Sequence, residues 1–243
     1  MYGRRGRIGL IVPASNTVCE PEMAKLSPDG VATYSTRVLF EPTINGLKAM
    51  KEHVERAGLE LSSEGISNII AFCCTVGSMI GGADYDENLI RLLEETTGVP
   101  AITTTTAVKA ALEALGVKCM AVATPYTREI NRIERNVLEA MGYRVTRIMG
   151  CHEDVPPNQF TNEMIGGLPP EEAYRIAMEV DDSSNEAIFI SCTNFRAVEI
   201  IDRLENVTGK PVISSNQATM WHALRKMDVG DSIAGFGRLM EHF

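Results

Sequence analysis

Two cysteines occupy equivalent places in this chain. The stretches Asn68-Ile-Ile-Ala-Phe-Cys-Cys-Thr75 and Glu186-Ala-Ile-Phe-Ile-Ser-Cys-Thr193 are both apolar, strand-like runs that end in Cys-Thr. Ligands of α/β proteins bind beyond the carboxyl ends of strands, so Cys74 and Cys192 are placed for chemistry between two facing thiols. An unperturbed thiol titrates at about 8.5, close to neutrality, and can act as nucleophile, acid or base. Backbone N–H groups at the start of a following helix are expected to lower that value. Neighbours along a strand point to opposite faces. Cys73 aligns with Ser191 rather than Cys192 and is expected to be buried packing.

The elements that carry these residues repeat. Thr97-Gly-Val-Pro-Ala-Ile-Thr-Thr104 and Thr208-Gly-Lys-Pro-Val-Ile-Ser-Ser215 match at an offset of 111 residues, as do the strands beginning at Ile8 and Cys119. Cys74 and Cys192 stand 118 apart, so about seven extra residues enter the second copy, most simply within the loop-rich stretch 150–170. Helical patterns at 47–64, 85–97, 107–115, 128–141, 171–181, 195–207 and 218–227 alternate with short strands. Residues 40–43 read as a loop, and 230–240 as a closing strand and loop. The expected fold is α/β, with two pseudo-symmetric, mainly parallel-sheet domains from an internal duplication and a cleft between them. The first domain spans 1–116 and the second 117–227, with 228–243 returning to the first.

Polar residues cluster after the same strands. Thr75 and Thr193 read as helix N-caps whose own N–H groups face a ligand. Asn16, in Ser15-Asn16-Thr17, stands where a carboxylate-binding amide belongs, and Tyr126 occupies the matching place in the second half. Asn216 reads equally as a turn residue or a ligand contact. The glycines of Gly77-Ser-Met-Ile-Gly81-Gly82 lack dinucleotide-loop spacing.

Composition excludes other classes. The balance of 32 acidic against 23 basic residues, a net charge of −9, opposes non-specific nucleic-acid binding. Apolar runs are too short and interrupted for a bilayer span, so no membrane partner is expected. Ile8–Val12 precedes Pro13 and reads as a strand rather than a secretory leader. Six cysteines then read as free thiols in a reducing cytoplasm. The four histidines are scattered and no Cys-x2-Cys occurs, so no metal site is expected.

Val12-Pro-Ala-Ser-Asn-Thr17, Cys74-Thr-Val-Gly-Ser78, Thr124-Pro-Tyr126, Cys192-Thr193 and Ser214-Ser-Asn-Gln-Ala218 resemble the aspartate/glutamate racemase superfamily. The resemblance is to its branch containing maleate cis–trans isomerase and arylmalonate decarboxylase. It implies a cleft active site that needs no cofactor. It also implies that Asn16, Tyr126 and Asn158 hold substrate carboxylates and that Val76 lines the cavity. Glycine replaces the first cysteine in the decarboxylase, so Cys74 speaks against a plain decarboxylase. Ala14-Ser15-Asn16 offers no acid for a substrate ammonium, and Asn194 stands where amino-acid racemases carry histidine. The expected function is isomerisation of maleate or a related unsaturated dicarboxylate by Cys74 and Cys192. Racemisation of a carbon acid, arylmalonate-type decarboxylation and a non-catalytic small-acid binding module are the alternatives. The expected partners are a small carboxylate and further copies of the chain, as dimer or tetramer.

Overall fold

The run Gly6–Pro13 is almost wholly buried, as befits a central parallel strand covered on both faces. In the computed structural model, which describes residues 2–39, 44–79, 81–156 and 158–243, this strand anchors the first of two sheets. The loop expected at 40–43 lies outside the described residues. The first half runs β1 (Gly6–Pro13), α1 (Cys19–Leu26), β2 (Val31–Val38), α2 (Ile44–Ser62), β3 (Ile69–Phe72), α3 (Thr75–Met79), α4 (Ala83–Thr97), β4 (Ala101–Thr103) and α5 (Thr104–Ala114). The second runs β5 (Cys119–Thr124), α6 (Arg128–Ala140), β6 (Arg144–Gly150), α7 (Asn162–Gly166), α8 (Pro170–Val180), β7 (Ala187–Ile190), α9 (Ile201–Thr208), β8 (Val212–Ser214) and α10 (Ser215–Lys226), and α11 (Arg238–His242) closes the chain.

Both sheets are parallel and share one order, β2-β1-β3-β4 and β6-β5-β7-β8. The duplication read from the sequence is therefore a duplication of topology. Alternation along the strands divides the core. Leu10, Ala71, Val122 and Phe189 face an inner layer in which α5 and α10 pack along one another. Ile11, Ile70 and Phe72 face outward against Val54, Ala57 and Leu93 of α2 and α4. Ala121, Ile188 and Ile190 face outward against Ala173, Ile176 and Leu204 of α8 and α9. The inner layer joins both sheets, so the ends of β3 and β7 are held in one frame.

The matched Thr-Gly-x-Pro segments explain themselves locally. Gly98 and Gly209 end α4 and α9 in the left-handed region, at φ 68° and 72°, which a side chain would strain. Thr103 and Ser214 then open α5 and α10 with capping boxes completed by Thr106 and Gln217.

Two expected elements differ. The helix expected at 195–207 begins only at Ile201, because the N–H groups of Ala197 and Val198 go to Glu22 Oε1 instead of to preceding carbonyls. No strand forms over 230–240; Gly235 and Gly237 adopt φ 89° and 80°, incompatible with an extended ladder, and α11 follows. This segment touches both halves: Asp231 pairs with Arg5, while Gly237 N donates to Asp202 Oδ1 at 2.6 Å. Among the described residues no helix is long and apolar enough to cross a membrane.

Removing the Ser214 cap tests this frame. Ser214→Ala is expected to lower stability by about 1 kcal/mol, a loss of about 2–4 °C in Tm for a chain of this size, read by calorimetry.

Candidate active site

Four strand ends converge on one cavity of about 480 Å3, counted to its open mouth. Cys74 and Cys192, each two residues past its strand, both line it. Pro13 and Asn16 reach it from the end of β1, and Tyr126 from the loop after β5. Thr75, Val76, Thr193 and Asn194 flank the two thiols. Ile130, Phe160, Asn162 and Ile165 complete the wall, contributed by α6, α7 and the loop between β6 and α7. Among the described residues the lining carries no aspartate, glutamate, lysine, arginine or histidine. The donors these residues offer an anion are neutral amides, hydroxyls and backbone N–H groups.

Cys192 sits in a strained backbone conformation, with φ 123°. For a residue with a side chain this costs on the order of 1–3 kcal/mol and persists only under external support. Ser215 Oγ, at the first turn of α10, accepts the Cys192 N–H at 3.0 Å and the Thr75 hydroxyl proton at 3.0 Å. Asn194 N donates to Cys192 Sγ at 3.3 Å. The turn that follows is pinned from the first half. Glu22, buried on α1, accepts Ala197 N at 2.7 Å, Val198 N at 3.1 Å and Asn216 Nδ2 at 2.7 Å. Asn216 Nδ2 also donates to Thr193 O at 3.0 Å, and Asn216 does not line the cavity. Asn216 is thus a brace in this structure.

The two threonines bridge the halves rather than capping helices. Thr193 Oγ1 donates to Cys73 O at 3.1 Å and accepts from Asn16 Nδ2 at 3.0 Å, and no helix begins at Thr193. Thr75 is already the first residue of α3, and its hydroxyl is directed to Ser215. Asn16 Oδ1 accepts Val18 N and Cys19 N at 3.0 and 2.9 Å. An amide nitrogen carries two protons, so one N–H of Asn16 remains beyond its bond to Thr193.

Burial sets the proton affinity of both thiols. Cys74 is pushed up to about 12 by desolvation, against which the Gly77 N–H works only in part. Cys192 is pushed up to about 12 by the same cause, opposed by the neighbouring Tyr126 hydroxyl and the Asn194 N–H. The expected lowering by a helix start is therefore outweighed: α3 is only five residues long, and the loss of hydration dominates. Each thiol also disfavours a second charge beside it, since a thiolate at Cys192 raises Cys74. Cys73 is fully buried in the inner core, as its alignment with Ser191 suggested.

Asn158 is exposed and lies outside the cavity lining, whereas Asn162, four residues later, lies within it. Its amide donates to Ser15 Oγ at 2.7 Å, and its carbonyl accepts Asn194 Nδ2 at 3.0 Å. The short loop before α7 gave no periodicity by which to choose between the two asparagines. Ser215 and Glu22 were also missed. Glu22 lies in a short amphipathic helix and reads there as an ordinary solvent-facing acid.

With this geometry in view, known proteins can be set beside the chain. The sequence model of the arylmalonate decarboxylase family matches residues 8–240. The chain belongs to that family. The maleate isomerase of Nocardia farcinica is 30% identical over 247 residues, covering 96% of this chain and 95% of that protein. The arylmalonate decarboxylase of Bordetella bronchiseptica is 28% identical over 243 residues, covering 96% of each. A solved structure of a Nocardia farcinica maleate cis–trans isomerase mutant with a covalently bound succinylcysteine intermediate matches with a TM-score of 0.88 at 26% identity, covering 98% of this chain and 99% of that one. The relatives of this chain thus carry two different activities, and the matched solved structure shares the fold found here.

Glu22 offers a direct test of how the Cys192 turn is supported. Glu22→Ala leaves two backbone N–H groups and an amide unpaired in the interior, at an expected cost of about 3 kcal/mol in urea unfolding. Alkylation of Cys192 is expected to accelerate in the same variant as its turn loosens.

Proposed function

We propose that this chain catalyses cis–trans isomerisation of maleate or a closely related unsaturated dicarboxylate. The observation that carries the reading is the pair of thiols, Cys74 and Cys192, lining one cavity whose other polar groups are neutral donors. In the proposed scheme Cys74 reacts as thiolate. Its sulfur lone pair forms a C–S bond to one alkene carbon as the π pair moves toward the other carbon. That carbon takes the proton of the Cys192 thiol, leaving Cys192 as thiolate and a succinyl group on Cys74. The former double bond is now single and rotates. Cys192 thiolate then removes a proton from the same carbon, the C–S bond breaks, and the trans diacid leaves with Cys74 again a thiolate.

Charge accumulates on the carboxylate next to the attacked bond, so donors aimed there lower the barrier. The free N–H of Asn16 and the backbone N–H groups opening α3 at Thr75 and Val76 are assigned this role. Asn162 replaces Asn158 as the proposed donor from the long connection, and Thr193 positions Asn16 through its hydroxyl. Tyr126, buried beside Cys192, steadies the thiolate that forms there during the reaction. A cytoplasmic setting belongs to the same proposal, because all six cysteines are free and both reacting thiols must stay reduced.

Maleate supplied in heavy water and followed by proton NMR tests the reading: its vinyl resonance should be replaced by that of fumarate. Loss of CO2 from an arylmalonate without any maleate turnover would favour decarboxylation. Washing out of an α-proton with no alkene accepted would favour racemisation. Cys74→Ala and Cys192→Ala are each expected to lower kcat/KM by on the order of a thousandfold or more. Cys192→Ser, with a poorer proton donor, is expected to let a maleate adduct accumulate on Cys74, seen as one added substrate mass after acid quench. Normal turnover in either alanine variant would remove the two-thiol mechanism.

The pH profile follows from burial. The thiolate form of Cys74 is required, and its pKa is raised to about 12, so at neutral pH it is a minor species. The rate of kcat/KM is therefore expected to climb from pH 7 to pH 9 rather than to peak near neutrality, by up to about tenfold per pH unit.

A further inference from the structure

A buried carboxyl on α6 has no assignment in the scheme above. Glu134, on the inner side of α6, is 2% exposed, and neither of its oxygens has a hydrogen-bond partner. Among the described residues it forms no ion pair. The hydroxyl of Ser191, the residue before Cys192, lies against it but falls outside hydrogen-bond geometry and is itself unpartnered. An unpaired carboxyl in a core is among the costlier placements a chain can make.

The duplicated fold supplies an internal control. Residue 134 stands 111 positions after Met23, the same offset that relates β1 to β5. Ser191 is the counterpart of Cys73. In the first half Met23 and Cys73 are both fully buried members of one apolar core. The fold thus fills this place with a thioether and a thiol in one copy, and with a carboxyl and a hydroxyl in the other. Packing does not call for the acid. What differs between the copies is the thiol each supports. Glu134 bears on Cys192 and on its neighbour Tyr126, whereas among the described residues no carboxyl contributes to the shift of Cys74.

We propose that Glu134 is a positioning residue that fixes the division of labour between the two thiols, its negative charge behind Cys192 making Cys192 keep its proton while Cys74 ionises. Asn194 N donates to Cys192 sulfur and the Tyr126 hydroxyl lies beside it, and by themselves these would make it the easier thiol to ionise. Glu134 opposes them. Glu22 on α1 acts on Cys192 in the same sense, but its charge is already engaged by two N–H groups and Asn216. Among the described residues no cation offsets Glu134. β6 sends Arg144 and Arg147 to the Ser184 and Glu179 carbonyls at the surface, and α3 has no titratable side chain. Burial raises Glu134 itself to about 7, so its charge is present on the alkaline side of neutrality, where the thiols begin to ionise.

The purpose of this device rests on the two-thiol reading above, but its test needs no substrate. The full chain is treated with iodoacetamide between pH 6 and pH 9.5, and labelling rates at Cys74 and Cys192 are read separately by peptide mass spectrometry. In the unaltered protein Cys74 is expected to label faster than Cys192 above pH 7.5. In Glu134→Gln and Glu134→Met the Cys192 to Cys74 ratio at pH 8.5 should rise by about three- to tenfold, the equivalent of half to one pH unit. Either variant suffices, and methionine is the residue that the first copy already accommodates. A second readout separates this from a structural role. A carboxyl raised on folding contributes stability below its unfolded pKa and loses it as pH rises through about 7. Glu134→Met should therefore unfold at a higher temperature than the parent at pH 8, whereas a packing role would make it less stable. An unchanged labelling ratio and profile in the folded variants overturns the proposal. A changed ratio in a protein that never turns over maleate would leave it standing and remove only the isomerase reading.

Discussion

Cys192 holds a conformation that its own backbone resists, and the rest of the site depends on the groups that keep it there. Ser215 takes its N–H, and Glu22 takes the two N–H groups that a helix would otherwise have used. Glu22 belongs to the first half and Ser215 to the start of the last inner-layer helix, so the turn forms only when the halves are packed together. Thr193 then reaches back to the Cys73 carbonyl beside the opposite thiol. The two cysteines are positioned relative to each other by hydrogen bonds that cross between halves, in addition to the helices packed behind them.

Dryness is the second constraint. The cavity wall is largely apolar, and its polar groups among the described residues are neutral, so a charge created inside gains little from solvent. This keeps both thiols protonated near neutrality in the free protein and makes hydrogen bonds to a developing carboxylate charge stronger than they would be in water. Arginine would bind a dicarboxylate more tightly, but a fixed cation would stabilise bound substrate as well as transition state. Amides directed at the point where charge develops favour the transition state selectively.

Duplication supplied a symmetric frame, and the chemistry requires that symmetry to be broken. A nucleophile and a proton donor cannot be the same group in the same state. The halves share sheet order, helix caps and the Cys-Thr strand ends, yet their surroundings diverge. Tyr126, Glu134 and Glu22 act on Cys192, while the groups that shift Cys74 are the other thiols and the Gly77 N–H.

Much of this was legible in the chain alone. The 111-residue repeat, the alternation of strands with helices and the paired Cys-Thr endings are local patterns, and local patterns determine element type, topology class and the two thiols. Alternation put Cys73 and Cys74 on opposite faces, and the repeat chose between them, since Cys74 matches Cys192 and Cys73 matches Ser191. Contacts distant in sequence decided the rest. That residues 193–200 turn rather than coil depends on Glu22, about 175 residues away, and no helical periodicity records such a partner. Asn162 rather than Asn158 faces the cavity because α7 folds against Asn194 and Ser15, contacts absent from the irregular loop's own sequence. The proton affinities were decided by tertiary structure most completely. A cysteine followed by helix-forming residues suggests a lowered pKa, but desolvation is a property of everything packed around the sulfur, and here it is the larger effect.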